Sequence, residues 1–324
     1  MLHSIIIPCY NSDLTIRKVV ESTMEEMKCL GRNEYEFILV DDYSPNNPKT
    51  ITVLKQLASE YTTVKVVELA YNSGQHNAIM AGLNYASGDI CIAMDDDGQT
   101  HPSQLKFLFE GLEQGYDVVY GYYENKKHSL FRNFGSYVNH MTVRWLIGKP
   151  KDMKASSFWM IRKFVRDSVI TYQSPYTYMQ GLFLRTTKNI GCVPIQHFER
   201  EVGASNYTFK KLLKLWSNVI GFSVVPLQLA TRLGYLFSAI GLIGVFVVLI
   251  NKILRPAVPI GWSSMIVAQF FFSGIILLFM GLIGEYIGRM FLEMHKTPQF
   301  VVRNVYGIEE KQMAVQDNKL SSEE

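Results

Sequence analysis

The feature that most constrains the fold is a regular alternation of short apolar runs with amphipathic stretches over the first two-thirds of the chain. Such alternation predicts an α/β fold, a mostly parallel sheet whose strands are joined by crossover helices. The apolar runs have the length of buried strands, and the stretches between them have helical spacing. We predict strands at 4–8, 35–41, 64–69, 90–95 and 117–120, and helices at 14–30, 50–61, 76–86 and 102–114.

Three of the predicted strands end in polar sequences. Pro8-Cys9-Tyr10-Asn11 follows the first strand, Asp41-Asp42-Tyr43-Ser44 follows the second, and Asp95-Asp96-Asp97 follows the fourth. Each sequence alone could be an ordinary turn, because Asp, Asn and Pro are common in loops. Ligands of open parallel sheets bind outside the carboxyl ends of the strands. The three sequences together therefore predict one ligand site at this edge of the sheet.

The acidic triplet carries the strongest chemical signal. Three adjacent carboxylates repel one another, so holding them at a strand end is costly unless a cation or hydrogen-bond donors neutralise them. Successive side chains on an extended strand point to opposite faces. Asp95 and Asp97 can therefore converge on one hard divalent ion, Mg²⁺ or Mn²⁺, while Asp96 points elsewhere. Open positions on such an ion would suit a diphosphate ligand.

Other interpretations of the sequence Asp-Asp-Asp-Gly stay open. It could be only an acidic turn. A calcium loop of the helix-loop-helix kind is disfavoured, because the carboxylates do not alternate out to a Glu beyond the Gly. A phosphatase-type motif, in which the first Asp is a nucleophile, would be expected on the first strand and with Thr or Val where Gln99 stands. Neither expectation is met.

Two long apolar segments, 233–250 and 265–283, lie late in the chain and contain no formal charge. At about 1.5 Å per residue, each is long enough to cross most of a hydrocarbon core of about 30 Å. We therefore predict two transmembrane helices, which place both termini on the same side. Buried core helices are the alternative, although two in tandem would need a large protein shell.

The orientation follows from the chain ends and the charges. The N-terminal apolar run is too short for a signal peptide, so we expect the first domain and both termini in the cytoplasm, at the cell membrane. Basic residues before the first span and after the second agree, whereas Lys252 and Arg255 lie between the spans. Before the first span, apolar residues at helical spacing alternate with lysines. This pattern predicts an amphipathic helix at the membrane interface, with a core-facing helix as the alternative.

Composition bounds the domain organisation and the partners. A net charge of +3 gives no strong attraction for nucleic acid, and the four scattered cysteines lack the spacing of a zinc site or a disulfide framework. The 324 residues suffice for one sizeable α/β domain and a smaller part. We predict a cytoplasmic domain at 1–207, an amphipathic region at 208–230, a two-helix membrane domain at 231–290, and a cytoplasmic segment and tail at 291–324.

Several motifs occur in a specific order along the chain: 7–11 (Ile-Pro-Cys-Tyr-Asn), Val40-Asp41-Asp42, Asn72-Ser73-Gly74 and the acidic triplet. Their order and spacing resemble the family-2 glycosyltransferases, which have the Rossmann-like GT-A fold. In the C-terminal half, 200–207 and 284–289 resemble membrane-anchored polyprenyl-phosphate glycosyltransferases and dolichol-phosphate mannose synthases. The resemblance covers about residues 4–303.

For the donor, the resemblance implies a UDP-sugar. Asp42, and with it Asp41, would accept a hydrogen bond from the uracil N3–H, while Pro8 and Tyr10 would flank the base. An ordinary strand-end turn is the alternative for these residues. The other members of the implied nucleotide site are Asn11, Asn72 and Gly74.

At the diphosphate, the resemblance implies that Asp95 and Asp97 hold Mg²⁺ or Mn²⁺, with Gln99 as a further oxygen ligand. Asp96 would face the ribose or the sugar. The metal would act as a Lewis acid that stabilises the negative charge growing on the leaving UDP.

The implied acceptor is a lipid phosphate. A phosphate monoester has a second pKa near 6 and is largely dianionic at neutral pH, so it needs cations rather than a general base. Arg132 and Ser136 resemble the family's phosphate-binding Arg-x-x-x-Ser, and their spacing puts them on one helical face. Arg200 and Lys210 are similar to basic residues near the same phosphate. Each of these cations could instead be an ordinary solvated charge.

The sequence departs from the family in two places. Many relatives carry an Asp before a Phe-Arg-Leu segment, where this chain has Ala-Ser-Ser-Phe-Trp-Met at 155–160. Either the nearby Asp152 serves as a catalytic carboxylate, or none is needed. The basic residue that some relatives carry after the fifth strand is missing at 121–123.

The combined expectation is an inverting, metal-dependent transfer of a sugar from a UDP-sugar to a polyprenyl phosphate, such as undecaprenyl phosphate, for cell-envelope glycan or lipid modification. A processive polysaccharide synthase and a non-catalytic, membrane-tethered nucleotide-sugar-binding protein are the alternatives. Small residues in the predicted spans, among them Gly284 and Gly288, permit a homo-oligomer as well as packing within one chain.

Overall fold

The computed structural model places the described residues in two compact units. The first unit joins the N-terminal part of the chain to the residues from Pro298 onward, and the second contains two long helices. The residues that the structure describes are 1–45, 47–123, 144, 150, 153–196, 225–254 and 261–307.

The first unit is built on an eight-stranded sheet with the order β7-β5-β6-β4-β1-β2-β3-β8. Its strands are β1 (His3–Cys9), β2 (Tyr35–Asp41), β3 (Val64–Leu69), β4 (Ile90–Ala93), β5 (Val118–Tyr123), β6 (Trp159–Arg162), β7 (Ile190–Ile195) and β8 (Val302–Tyr306).

Parallel pairing dominates the centre of this sheet. β1 pairs in parallel with β2 on one side and with β4 on the other, and β2 pairs in parallel with β3. β6 lies antiparallel between β4 and β5, and β8 is antiparallel to β3 at the edge. The outer pair of β5 and β7 is parallel again. The expectation of a mostly parallel α/β sheet is confirmed.

Six helices and one 3₁₀ turn accompany the described part of this sheet. Helix α1 shows why they form, because its buried residues recur every three or four positions and Gly31, at φ 68°, ends it in the left-handed region. The helices are α1 (Ile16–Cys29), α2 (Lys49–Glu60), α3 (Gln75–Tyr85), α4 (Leu105–Glu113), α5 (Lys163–Val169) and α6 (Met179–Thr186), with the 3₁₀ turn at Pro102–Gln104.

The core lies on both faces of the central strands. Every residue of β1 is buried, and so is β2 after its first residue. Strands covered by helices on both faces are apolar at successive positions rather than at alternate ones. This explains why the two strands are continuous apolar runs, Ile5-Ile6-Ile7 and Phe37-Ile38-Leu39-Val40.

The fourth strand ends earlier than the sequence predicts. The prediction of 90–95 was wrong at its end, because β4 stops at Ala93, where its pairing with Trp159 of β6 also stops. Asp95, Asp96 and Asp97 therefore lie in the loop beyond the sheet. Alternation along a strand consequently does not determine where their side chains point.

The second unit contains α7 (Val225–Leu254) and α8 (Trp262–Met294). The rings of Phe237 and Phe272 meet edge to face, with centroids 6.4 Å apart. Among the described residues, one stretch, Phe272–Met294, is long and apolar enough to cross a membrane by length and composition.

The membrane predictions are tested only in part. The first predicted span, 233–250, falls within α7, in which the structure describes only some of the side chains. The second, 265–283, falls within α8. In the amphipathic region, 208–224 lies outside the described residues and 225–230 forms the start of α7. The span through α7, the orientation of both spans and the interfacial helix stay predictions.

Candidate active site

The centre of the sheet contains a topological switch point. The chain passes from β1 to β2 and β3 on one side, and then crosses back to place β4 on the other side of β1. Open α/β sheets bind ligands in the crevice outside the carboxyl ends of the two strands that flank such a point. The polar sequence after β1 and the acidic triplet after β4 both lie there.

Asp96 connects the two loops at the switch point. The backbone N–H of Tyr10 donates to its Oδ2 at 3.3 Å, and the hydroxyl of Ser12 donates to the same oxygen. Burial raises the pKa of Asp96, while these two donors lower it. Asp96 thus points back towards the end of β1, and its partners differ from those of Asp95.

Asp95 is held by two uncharged side chains. Ser157 donates its hydroxyl to Oδ2, and Gln75 donates its amide Nε2 to Oδ1 at 2.8 Å. Burial, together with the negative charges of Asp97 and Asp96, raises the pKa of Asp95 to about 6, although the two donors oppose the shift. A carboxylate in this environment gains stability from a cation that approaches it.

Asp97 and Gln99 complete the acidic loop. The backbone N–H of Gln99 donates to Oδ1 of Asp97 at 3.0 Å, and both side chains are half-buried. Within the described ranges, no three His, Cys, Asp or Glu side chains form a ready-made metal cage. Two carboxylates and an amide oxygen are hard donors that fit Mg²⁺ or Mn²⁺ and leave coordination positions for a ligand.

Asp42 organises the loop between β3 and α3. Its carboxylate accepts the backbone N–H of Ser73 at 2.7 Å and that of Gly74 at 3.0 Å, while its carbonyl oxygen accepts from the amide of Asn72 at 3.0 Å. Asp42 is only 4% exposed. The structure therefore brings three predicted nucleotide-site residues together, and the contact of Asp42 with uracil stays a prediction.

Asp41 lies beside a second hydrogen-bond link. Its carboxylate accepts the Ser44 hydroxyl at 3.1 Å, and the Ser44 oxygen accepts the backbone N–H of Asn11 at 3.1 Å. This link joins the ends of β1 and β2. Burial raises the pKa of Asp41 to about 6, in spite of the Ser44 donor and the nearby Arg303.

The two residues predicted to flank a base differ in exposure. Pro8 is buried within β1, whereas Tyr10 is 49% exposed just beyond it. The backbone N–H of Met94 donates to the carbonyl oxygen of Ile6, so the backbone N–H and C=O groups of the even-numbered residues of β1 point towards β4. The pairing of β1 with β4 ends at Ile6 and Ala93, so the nitrogen of Pro8 lies beyond the end of β4. A proline is tolerated in this central strand because no ladder hydrogen bond is lost.

Left-handed backbone occurs after each of the first four strands. A residue with φ between 50° and 87° follows within five positions of each strand end, and two of the four are not glycine. Such conformations are costly outside glycine and cluster at functional sites. These residues are Asn11, Tyr43, Gly74 and Gly98.

Three residues of the acidic site were not predicted from the sequence: Ser12, Gln75 and Ser157. Ser157 had a signal, because it stands immediately before the Phe-Trp-Met stretch where relatives carry an Asp. Ser12 and Gln75 had none, since their contacts join loops that are distant in the chain.

The predicted acceptor site lies outside the described residues. This applies to Arg132, Ser136, Arg200 and Lys210, and also to the candidate carboxylate Asp152. Their roles stay predictions.

Residues 4–176 match the model of the family described as glycosyl transferase family 2. The chain is a family-2 glycosyltransferase. An uncharacterized glycosyltransferase of Bacillus subtilis, YkcC, is 33% identical to it over 315 residues, which cover 96% of each chain. The undecaprenyl-phosphate 4-deoxy-4-formamido-L-arabinose transferase of Proteus mirabilis is 30% identical over 309 residues, or 94% of each chain.

A solved structure agrees with the fold of this glycosyltransferase. The crystal structure of a mycobacterial protein superposes with a TM-score of 0.50 at 15% identity, over 68% of this chain and 74% of that one. At such low identity the likeness concerns the fold alone. The predicted enzyme class and the GT-A-like architecture are confirmed.

Proposed function

We propose that this glycosyltransferase transfers a sugar from a UDP-sugar to a polyprenyl phosphate, with inversion at the anomeric carbon. The observation that carries the proposal is the acidic loop at the switch point, where Asp95 is held by neutral donors among neighbouring negative charges. A relative whose name specifies undecaprenyl phosphate is 30% identical over 94% of the chain, and this similarity supports the choice of acceptor.

The donor would bind at the carboxyl ends of β1, β2 and β4. Asp95, Asp97 and Gln99 would hold Mg²⁺ or Mn²⁺, which supplies Lewis-acid stabilisation of the leaving diphosphate. Ser157 and Gln75 keep the Asp95 carboxylate oriented before the donor arrives. This preorganisation lowers the cost of binding, because the carboxylate need not be ordered in the complex.

The nucleoside would lie over the ends of β1 and β2. The exposed ring of Tyr10 offers an aromatic face to a base, and Asp96 holds the loop that carries this ring. Asp42 keeps Asn72 and Gly74 in place on the other side. We assign uracil recognition to the residues at these strand ends, which are Pro8, Tyr10, Asn11, Asp41, Asp42, Asn72 and Gly74.

The acceptor phosphate would attack the anomeric carbon directly. One of its oxygens forms the new bond to carbon as the bond to UDP breaks, and the electron pair leaves with UDP. No proton has to be removed from a phosphate dianion, so Asp152 would act as a base only if the phosphate bound in its protonated form. We assign phosphate binding to Arg132, Ser136, Arg200 and Lys210.

The two long helices would anchor the enzyme in the cell membrane. Phe272–Met294 has the length and composition of a span, and we assign a second span to α7. With two spans, the catalytic domain and both termini would share the cytoplasmic side, where a UDP-sugar is available and the lipid phosphate headgroup is within reach.

The test is transfer of radiolabel from a panel of UDP-sugars, including UDP-4-deoxy-4-formamido-L-arabinose, to undecaprenyl phosphate by detergent-purified enzyme. Reactions contain Mn²⁺, Mg²⁺ or EDTA, and Asp97→Asn is the control. We expect a butanol-soluble, mild-acid-labile product that needs both metal and Asp97.

The alternatives give different results in the same assay. A water-soluble labelled polymer would favour a processive synthase. Metal-dependent UDP binding without a lipid product from any donor would reject the acceptor and leave only the nucleotide site. Binding that tolerates Asp97→Asn, with no product, would favour a non-catalytic protein.

A further inference from the structure

The chain segment that follows α8 returns to the first unit and belongs to its sheet. Pro298 accepts a hydrogen bond from the hydroxyl of Tyr71 at 3.3 Å, and Val301 accepts the backbone N–H of Ala70 at 2.8 Å. β8 then pairs with β3. A stretch far from the catalytic motifs in sequence therefore forms the sheet edge beside the proposed nucleotide site.

Gln299 lies in this segment, five residues after α8 ends, and is 8% exposed. Its side-chain amide Nε2 donates to the carbonyl oxygen of Ser174 at 3.0 Å and to the hydroxyl oxygen of Thr177 at 2.6 Å. The same nitrogen donates a longer hydrogen bond, at 3.4 Å, to the carbonyl oxygen of Tyr172. One buried amide thus serves three oxygens of the loop between α5 and α6. Without it, the buried acceptors at Ser174 and Thr177 would lose a partner that water cannot easily replace.

The same loop packs against the first turn of α3. The amide Nδ2 of Asn77 donates to the carbonyl oxygen of Pro175 and to that of Ser73, each at 3.0 Å. The rings of His76 and Tyr178 meet edge to face, with centroids 5.9 Å apart. The position of this turn therefore depends on the loop that Gln299 holds.

The first residue of α3 completes the connection to the site, since Gln75 donates to Asp95 at 2.8 Å. We propose that Gln299 is a positioning residue for the diphosphate end of the active site. It holds the 172–177 loop against the first turn of α3 and so keeps Gln75 directed at Asp95. This inference rests on the proposed donor site, but it is independent of which lipid or sugar the enzyme uses.

The test compares full-length wild-type protein in detergent with Gln299→Met, which keeps the side-chain length and removes the donor. Hydrogen exchange is followed in peptides that cover 172–178 and 75–80, and the affinity for UDP is measured with Mn²⁺. We expect faster exchange in both peptides and an affinity for UDP with Mn²⁺ that falls about tenfold, the effect of losing one well-placed hydrogen bond.

Two further variants separate positioning from general damage. Gln56→Met makes the same chemical change on the exposed face of α2 and should alter neither readout. Thr177→Val removes one acceptor of Gln299 and should give a smaller loss of UDP affinity. Combined with Gln299→Met, it should add less than its separate effect, because the two residues share one hydrogen bond.

The outcomes distinguish this inference from the proposed function. If Gln299→Met left exchange unchanged, or raised it at 172–178 without weakening UDP binding, the positioning role would be overturned. If wild-type protein bound UDP with Mn²⁺ but made no lipid product, the acceptor proposal would fail while a tenfold loss in Gln299→Met still supported the positioning role. If wild-type protein bound no UDP with either metal, both would fail.

Discussion

Two acidic clusters lie at the same edge of the sheet, and the structure holds one carboxylate of each, Asp42 and Asp95, in different ways. Asp41 is the last residue of β2 and Asp42 follows it, whereas the triplet that begins at Asp95 comes one residue after the end of β4. Both strands are largely buried and apolar up to these acidic residues. Asp42 accepts two backbone N–H groups, whereas Asp95 accepts a hydroxyl and an amide from side chains.

This difference separates a structural carboxylate from a chemical one. Backbone donors move only if the loop itself refolds, so Asp42 is committed to the conformation of its neighbours. Side-chain donors can rotate away or share the oxygen, so Asp95 can accept a metal ion without rebuilding the fold. Loss of the Asp42 carboxylate should lower stability, and loss of the Asp95 carboxylate should lower the rate of transfer.

The largest effect is expected for Asp95→Asn. Removing a carboxylate from the proposed metal site should lower kcat/KM for transfer by about 10³-fold, since stabilisation of charge on the leaving group is lost. The thermal unfolding midpoint of the purified protein should not fall, because the substitution also removes a charge that burial and its neighbours disfavour. Retention of more than a tenth of the activity would show that Asp95 is not a metal ligand.

Asp42→Asn should differ from Asp95→Asn by lowering the thermal unfolding midpoint. The new amide can accept at one position only, and its NH₂ group would face a backbone N–H of Ser73 or Gly74. We expect a loss of about 2 kcal/mol of stability, the cost of an unsatisfied buried donor. A thermal melt without nucleotide measures this loss. An unchanged midpoint would contradict this structural role, and a large loss of UDP affinity without a change in that midpoint would leave Asp42 only the proposed contact with uracil.

Ser157→Ala tests how the Ser157 hydroxyl affects the pKa of Asp95. The Ser157 hydroxyl lowers the pKa of Asp95, so its removal should raise that pKa further above about 6. Because a protonated carboxylate binds metal poorly, the rate of transfer should fall about fivefold at neutral pH. The loss should be greater at pH 6 than at pH 8.

Ser156→Ala is the matched control for this shift. The hydroxyl of Ser156 donates to the carbonyl oxygen of Gly121 at 2.6 Å and supports the pairing of β5 with β6. Its removal should lower stability and leave the pH dependence of transfer unchanged. If both serine variants shifted the profile equally, the effect would belong to the loop and not to the hydrogen bond on Asp95.

Local patterns predicted one part of the fold well. The first four strands and the helices between them agree with the sequence to within two residues at their ends, because apolar runs and helical spacing are properties of short segments. β6, β7 and β8 were not predicted. β6 inserts between β4 and β5, and β8 arrives only after the long helices, so their places depend on contacts between distant segments.

The candidate site likewise has one part that could be predicted from the sequence and one part that could not. The acidic triplet could be recognised because three adjacent carboxylates need compensation, and the sequence predicted its place at the carboxyl edge of the sheet. The partners of those carboxylates could not be predicted, since Ser12, Gln75 and Ser157 lie in three segments that are distant from one another in the chain. The position of Gln299 shows the limit most clearly, because nothing in its neighbourhood in the sequence points to the site.

The sharpest test of the comparison is Asp41→Asn beside Asp42. Burial raises the pKa of Asp41 from 3.8 to about 6 in the folded state. Between these values the folded protein binds the proton more tightly than the unfolded chain does. Ionisation therefore removes stability as the pH rises through 6, and the full cost is present above it.

Asn carries no charge, so Asp41→Asn should stabilise the protein by about 1–2 kcal/mol at pH 8 and by almost nothing near pH 4. Unfolding midpoints at several pH values between 4.5 and 8 measure this difference. An equal shift at every pH would mean that Asp41 is not strained by its burial. Two identical substitutions at neighbouring positions, one stabilising and one destabilising, would show that a carboxylate's partners determine its role more than its place in the sequence does.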